Sequence, residues 1–439
     1  MRNFFRSTGF SHFLVALVLL PFQSMIPEVG KIALVPYLLY LVWSKNPLYI
    51  PSLIVLIAPG TTIAYSILLS TLLLTFTHFL SLKKRGIGWL VILALMPLPI
   101  FLYMTGVRVF SLGVSIVEAL KPLGFYLGLF PFFYGVLVAP KVNNTVVSGI
   151  LFTLFILPLY KFLPFSELTI RAYWFSLPVF FSLVGAKIIL RKKFEMNNYW
   201  FVLGGTFLIL SLVGLLGLKF TLIFSGLIAL IALGSSLKRD TVVLKFLAKP
   251  RIILLSVLLV AFMINGAKKF SVQKSNAFLQ QDELSYFVWD EFWTLLQFKA
   301  FDDRAIIWAG GWDTIIKTEL WWTPYDVPQY SYETNKGANF KNVEYGIHNI
   351  GLELMRNYGI MVGGFITLIY LLFLIQGPGK YLFRNRKLDG LSILASACIG
   401  TGLVGALVGQ FVLMVTFSLI LMSISGILFG IQAQKIKNQ

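Results

Sequence analysis

The chain has 439 residues, 57% of them hydrophobic and only 13% charged, with a mean hydropathy of +0.82. Soluble domains carry about 25% charged residues, so the composition excludes an ordinary soluble enzyme and points to an all-α polytopic membrane protein. The single cysteine, Cys398, excludes an intramolecular disulfide framework.

The net charge of +19 is unevenly spread. Residues 266–357 hold 12 of the 18 acidic residues and 9 of the 37 basic ones, which leaves 6 acids and 28 bases for the rest. A nucleic-acid binder gathers its bases in a soluble module. Here they sit in short loops between apolar runs, which is the positive-inside pattern of a membrane protein.

A span needs about 20 apolar residues, or fewer when it is tilted. Fourteen candidates follow in chain order (12–14 if the short early pair is not two spans). The first, 10–26, follows Arg2 and Arg6 and lacks a small-residue cleavage site, so it reads as an uncleaved span. Next come 31–43 and 48–58, both short and bounded by Pro27, Pro47 and Pro59, then 62–82, 87–107, 122–138, 146–162, 172–190, 199–216, 220–233 and 252–264. The last three are 359–375, 391–408 and 411–431. With both ends cytoplasmic, the basic clusters around Lys83, Arg191, Lys238, Arg384 and Lys435 all fall on the inner side. The domains are therefore a bundle over 1–265, a polar insertion over 266–357 on the outer side, and a bundle over 358–439.

The insertion is too long for an ordinary loop, and loops of that size are usually functional or separately folded. It carries six of the ten tryptophans, and its patterning suggests amphipathic helices at the membrane surface. Asp302 or Asp303 can N-cap a helix in which Arg304, Trp308 and Trp312 recur every four residues.

Chemistry is expected here. Arginines on the outer side run against the positive-inside bias, and Arg108, Arg171, Arg304 and Arg356 are the four. Arginine forks suit phosphate oxygens. His348 is the insertion's only histidine, and its ordinary pKa near 6.5 suits proton transfer at neutral pH. Glu344, four residues earlier, would share a face with it and orient the ring if 344–348 is helical, against which Gly346 counts. His12 and His78 read as packing or interfacial residues. Three scattered histidines and one cysteine cannot supply a usual zinc set. No phosphate-binding loop, nucleophile elbow or dinucleotide fingerprint appears, so zinc and nucleotide-cofactor chemistry are not expected; Asp302-Asp303 could hold a divalent ion with help, though it reads first as a helix cap. The spans hold almost no ionisable residues, which argues against an ion-driven pump.

Two motifs in order, Arg304-Ala-Ile-Ile-Trp308 and then His348-Asn349, nine residues and Gly359, resemble the O-antigen polymerase (Wzy) and O-antigen ligase superfamily. The many-span layout with one large outer loop near the C-terminal third is similar too. The ligase form carries Gly, Thr or Tyr three residues after that glycine; this chain has Val362, a departure that favours the polymerase.

The resemblance implies a GT-C-like, metal-independent, inverting glycosyltransferase at the periplasmic face of the bacterial inner membrane. Its donor and acceptor would be undecaprenyl-pyrophosphate-linked glycans, with a chain-length regulator protein as a further partner. Carried over by position, Arg304 clamps the pyrophosphate and His348 is the acid/base or acceptor-orienting group. Arg171, Arg108, Arg356, Glu344, Asn349 and Trp308 are the expected substrate-binding residues, with Trp308 stacking on sugar rings. The competing readings are an O-antigen ligase and, from another class, a lipid-linked oligosaccharide flippase.

Overall fold

The structure, a computed structural model, describes residues 27–55, 61–110, 126–156, 226–233, 349–385, 389–408 and 415–437, with isolated positions in 10–18, at 124 and in 178–183. The described residues are mostly helical and contain no strand. The helices are α1 (Pro27–Trp43), α2 (Tyr49–Val55), α3 (Thr61–Thr77), α4 (Phe79–Lys84), α5 (Gly88–Leu95), α6 (Leu98–Phe110), α7 (Pro131–Val138), α8 (Asn144–Ile156), α9 (Ile350–Leu374), α10 (Lys380–Arg384), α11 (Gly390–Val408) and α12 (Val415–Lys437). A π-helical turn, Ile375–Gly379, joins α9 to α10.

Proline marks the break between α5 and α6. Pro97 has no N–H to give and sits at the turn between α5 and α6. Two residues before that turn, the Ala94 carbonyl accepts a hydrogen bond from the Tyr126 hydroxyl at 2.5 Å. A broken helix in an apolar setting needs such a substitute partner.

The last helix, α12, is the hub. It packs against α7 so closely that the backbones touch. Gly135 lies on the Ser423 carbonyl, and Gly426 lies on the Phe132 carbonyl, where any Cβ would overlap it. Small residues at such a crossing are the usual device of helices packed in lipid, where van der Waals contact replaces the hydrophobic drive. Phe132 then stacks on Phe373 of α9 at 4.3 Å between ring centroids. Hydroxyls tie the interior: Tyr49 to Ser423, and Tyr370 donating to the Gly402 carbonyl at 3.1 Å. Each such bond in a membrane interior is worth about 0.6 kcal/mol on average.

The outside of the bundle is apolar. Leu80, Tyr103, Phe110 and Leu368 are each between 65% and 88% exposed, whereas Thr71, Thr75, Ser396 and Ser423 are fully buried. That distribution suits lipid rather than water. The stretch Tyr358–Arg384 is long and apolar enough to cross a membrane; the other apolar helices among the described residues are shorter.

One end of the bundle is basic. The Lys141 ammonium donates to the Ser44 carbonyl at 3.2 Å, and the Arg85 guanidinium donates to the Val136 carbonyl at 2.5 Å. Gln432 donates to the Lys380 carbonyl at 3.0 Å. The loops near 45, 85, 141 and 380 therefore lie at one end of the bundle; of these, the loops around Lys83 and Arg384 carry the basic clusters expected on the inner side. Tyr65, Gly124, Phe101 and Tyr358 meet away from them, Tyr65 against Gly124 and Phe101 against Tyr358.

Candidate active site

Two of the described site positions, Asn349 and Arg356, belong to α9 and its cap, and α9 is not straight. Gly359 has φ 82° and ψ 160°, a conformation essentially restricted to glycine. In an unbroken helix Gly363 would stand about 13.5 Å along the axis from Leu354. Instead it lies directly on the backbone of Leu354 and Met355. Gly351 likewise lies beside Thr367, whose Cγ2 would sit 3.5 Å from a Cβ placed there. Residues 350–358 therefore fold back antiparallel on residues 360–374. The chain forms a helical hairpin with Gly359 at its apex.

The nine-residue spacing between Asn349 and Gly359 is the short arm of this hairpin. Asn349 begins it, with extended backbone (φ −135°, ψ 122°) and its side-chain oxygen accepting from the Leu352 N–H at 3.1 Å. The Asn349 carbonyl accepts from the Glu353 N–H at 2.8 Å. Asparagine is among the best residues for this capping role, because its oxygen satisfies a donor that the first helical turn leaves open.

Ile350, Leu354 and Tyr358 recur every four residues and are buried. This row meets α6, with the Tyr358 and Phe101 rings 4.1 Å apart. Phe101 in turn stacks on Tyr126 at 4.5 Å. The hairpin is thus wedged between its own long arm and α6. Gly351, two residues after Asn349, lies beside Thr367, about 12 Å along the long arm from the apex.

Of the expected site residues, three fall on described backbone. Asn349 is the cap. Arg356 lies in the short arm, seven residues past Asn349. Arg108 lies in α6, seven residues past Phe101. The hairpin and α6 are in contact, so Arg108 and Arg356 belong to neighbouring elements. Arg171, Arg304, Trp308, Glu344 and His348 lie outside the described residues, as do most of 157–348 and its expected spans and surface helices. His348 directly precedes the cap in the chain.

Two features of the hairpin went unread in the sequence. Glu353, a carboxylate in the first turn of the short arm, is only 8% exposed. A negative group near a helix N-terminus is favoured by the aligned peptide dipoles. The close contact of Gly363 on Leu354 is the other. Its signal was present as Gly363-Gly364 just after Gly359, since paired glycines mark close backbone approach.

Among the described residues, no group of three or more His, Cys, Asp or Glu side chains is arranged to hold a metal ion. No family model matches the chain, and no curated protein matches it in sequence.

Proposed function

We propose that the protein is an O-antigen polymerase, a glycosyltransferase with GT-C-like architecture in the bacterial inner membrane. It would move a growing glycan from undecaprenyl pyrophosphate onto a lipid-linked repeat unit at the periplasmic face. The observation that carries this reading is the Asn349–Gly359 hairpin. The spacing that resembles the polymerase and ligase superfamily corresponds here to a folded device: a capped short helix, turned back at Gly359 onto an apolar helix of membrane-crossing length.

The device has a chemical use. A lipid pyrophosphate keeps its tail in the bilayer and its reacting bond near the headgroup depth. A motif that starts below the outer end of a span brings polar groups to that depth. In the reaction, an acceptor hydroxyl attacks the anomeric carbon of the donor sugar and loses its proton to His348. The bond from that carbon to the pyrophosphate oxygen breaks, and undecaprenyl pyrophosphate departs with the electron pair. Attack from the face opposite the leaving group inverts the anomeric centre. Arg304 offsets the charge growing on the pyrophosphate, with Arg108, Arg171 and Arg356 as further guanidinium donors. Preorganised donors at such a position are worth on the order of 3 kcal/mol each. Guanidinium groups supply the charge that a divalent ion would otherwise bring, so activity in the presence of a chelator is the expected behaviour.

Deletion of the gene distinguishes the three readings. Loss of the polymerase leaves surface glycan one repeat long. Loss of all surface glycan, single repeats included, would instead favour the ligase or the flippase. Complementation with Arg304→Ala or His348→Ala should leave the protein in the membrane and the glycan at single-repeat length. A normal ladder in both variants would remove their catalytic assignment.

A further inference from the structure

We propose that Glu353 is the positioning residue for His348: its carboxylate accepts a hydrogen bond from one nitrogen of the imidazole and leaves the other to take the acceptor's proton. The use of this pair rests on the glycosyltransferase reading above; the pairing itself does not.

Among the described residues, Glu353 is the only Asp, Glu, Lys, Arg or His whose side chain is buried. Burying a carboxylate is costly unless a cation or several donors meet it. Peptide dipoles favour a negative group in a first helical turn. They do so at a solvated helix end as well, so they do not explain why this one is buried. The long arm of the hairpin, residues 360–374, carries no charged residue. The group that Glu353 meets therefore comes from elsewhere.

The cap indicates where. Asn349 takes the Leu352 N–H on its side-chain oxygen and the Glu353 N–H on its carbonyl. With Asn349 as the cap and Ile350 as the first helical residue, Glu353 is the fourth. In helices that start this way the residue before the cap and the fourth helical residue are neighbours, and an apolar pair often fills the two positions. Here they hold His348 and Glu353. Both depart from apolar usage together, and they do so as an imidazole and a carboxylate. Two polar groups are tolerated at such a contact when they bond to each other.

The pair supplies what a general base needs. A carboxylate accepting from one ring N–H fixes the tautomer. It also stabilises the imidazolium that forms when the other nitrogen takes the acceptor's hydroxyl proton. The proton stays on the ring, and the carboxylate stays ionised. Glu344 can do the same only if 344–348 is helical, whereas Glu353 stands on a described helix. Arg356, three residues on, and Arg108 of α6 are the competing cations for Glu353. With either of them as its partner, His348 titrates independently of Glu353.

Histidine-selective NMR of the full-length protein in detergent tests the pair. The chain has three histidines, and the signal lost in His348→Gln is that of His348. In Glu353→Gln its titration midpoint should fall by about one pH unit or more, because a nearby carboxylate favours the charged ring. Glu353→Asp draws the carboxylate back along the side chain and should move the midpoint the same way by less; it decides the matter if the amide variant does not fold. Glu344→Gln should leave the midpoint in place. An unchanged midpoint in the folded Glu353 variant, or an equal fall in Glu344→Gln, would overturn the proposal. In chain elongation, Glu353→Gln should lower kcat about a hundredfold with KM for the lipid-linked repeat unit unchanged. Wild-type kcat beside a shifted midpoint would overturn the positioning role. A wild-type protein that elongates no glycan would instead sink the glycosyltransferase reading, while the midpoint still decides the pair.

Discussion

Gly363 rests against the backbone of Leu354, nine residues earlier in the chain. That contact converts what reads as the start of a membrane helix into a hairpin, and it fixes where Asn349 enters the bundle. Replacing Gly363 with alanine puts a methyl group into backbone atoms that have no room to yield, and overpacking of this kind costs about 1–3 kcal/mol. Gly359→Ala adds a side chain at φ 82°, with a strain of about 1–3 kcal/mol. Both variants should melt at lower temperature in detergent than wild type. Both should also shorten the surface glycan even where membrane levels are normal. Unchanged melting in both would mean that the reversal at Gly359 is not the folded arrangement.

The cap makes a separable prediction. Asn349→Ala removes the oxygen that satisfies the Leu352 N–H and should cost about 1 kcal/mol. Asn349→Asp keeps an oxygen in that place and should restore stability. If Asn349 also binds substrate, Asn349→Asp will be stable but less active, because a carboxylate repels a pyrophosphate. Thermal melting and glycan ladder length, measured on the same two variants, separate capping from binding.

Glu353 is the buried carboxylate that the sequence reading passed over. An ionisable group at membrane depth is costly and by default marks function. Glu353→Gln keeps the size and removes the charge. With the protein retained in the membrane at normal stability, chain elongation should fall about a hundredfold or more, the low side of what a positioned acid–base group contributes. Full activity in Glu353→Gln would reduce the residue to a packing role.

Much of the architecture was legible because span length and apolar content are local properties. The expected segments 31–43, 146–162 and 391–408 correspond to Pro27–Trp43, Asn144–Ile156 and Gly390–Val408. The short second and third segments, the uncertain pair, correspond to helices α1 and α2 joined by the Lys45 turn. Two of the loops at the basic end, around Lys83 and Arg384, carry basic clusters that the charge pattern put on one side; those at Lys45 and Lys141 have no such cluster. The hairpin was not legible. Nine residues between Asn349 and Gly359 suit a loop, a surface helix or a folded-back arm equally well. The choice is made by contacts to Gly363, Thr367 and Phe101, which have no local signature. Asn349 was singled out for substrate binding, and its side-chain oxygen proves to serve the helix start. Arg304 and His348 were singled out by type, side and spacing, and both lie outside the described residues.

Chain elongation in a reconstituted system tests the central claim most directly. Purified protein is supplied with a lipid-linked repeat unit in the presence of EDTA, and product length is read on a gel. Wild type should build chains of many repeats with the chelator present, and His348→Ala and Arg304→Ala should leave the repeat unit unextended. Elongation by both variants at the wild-type rate, or a wild-type protein that elongates only when a divalent ion is restored, would contradict the account.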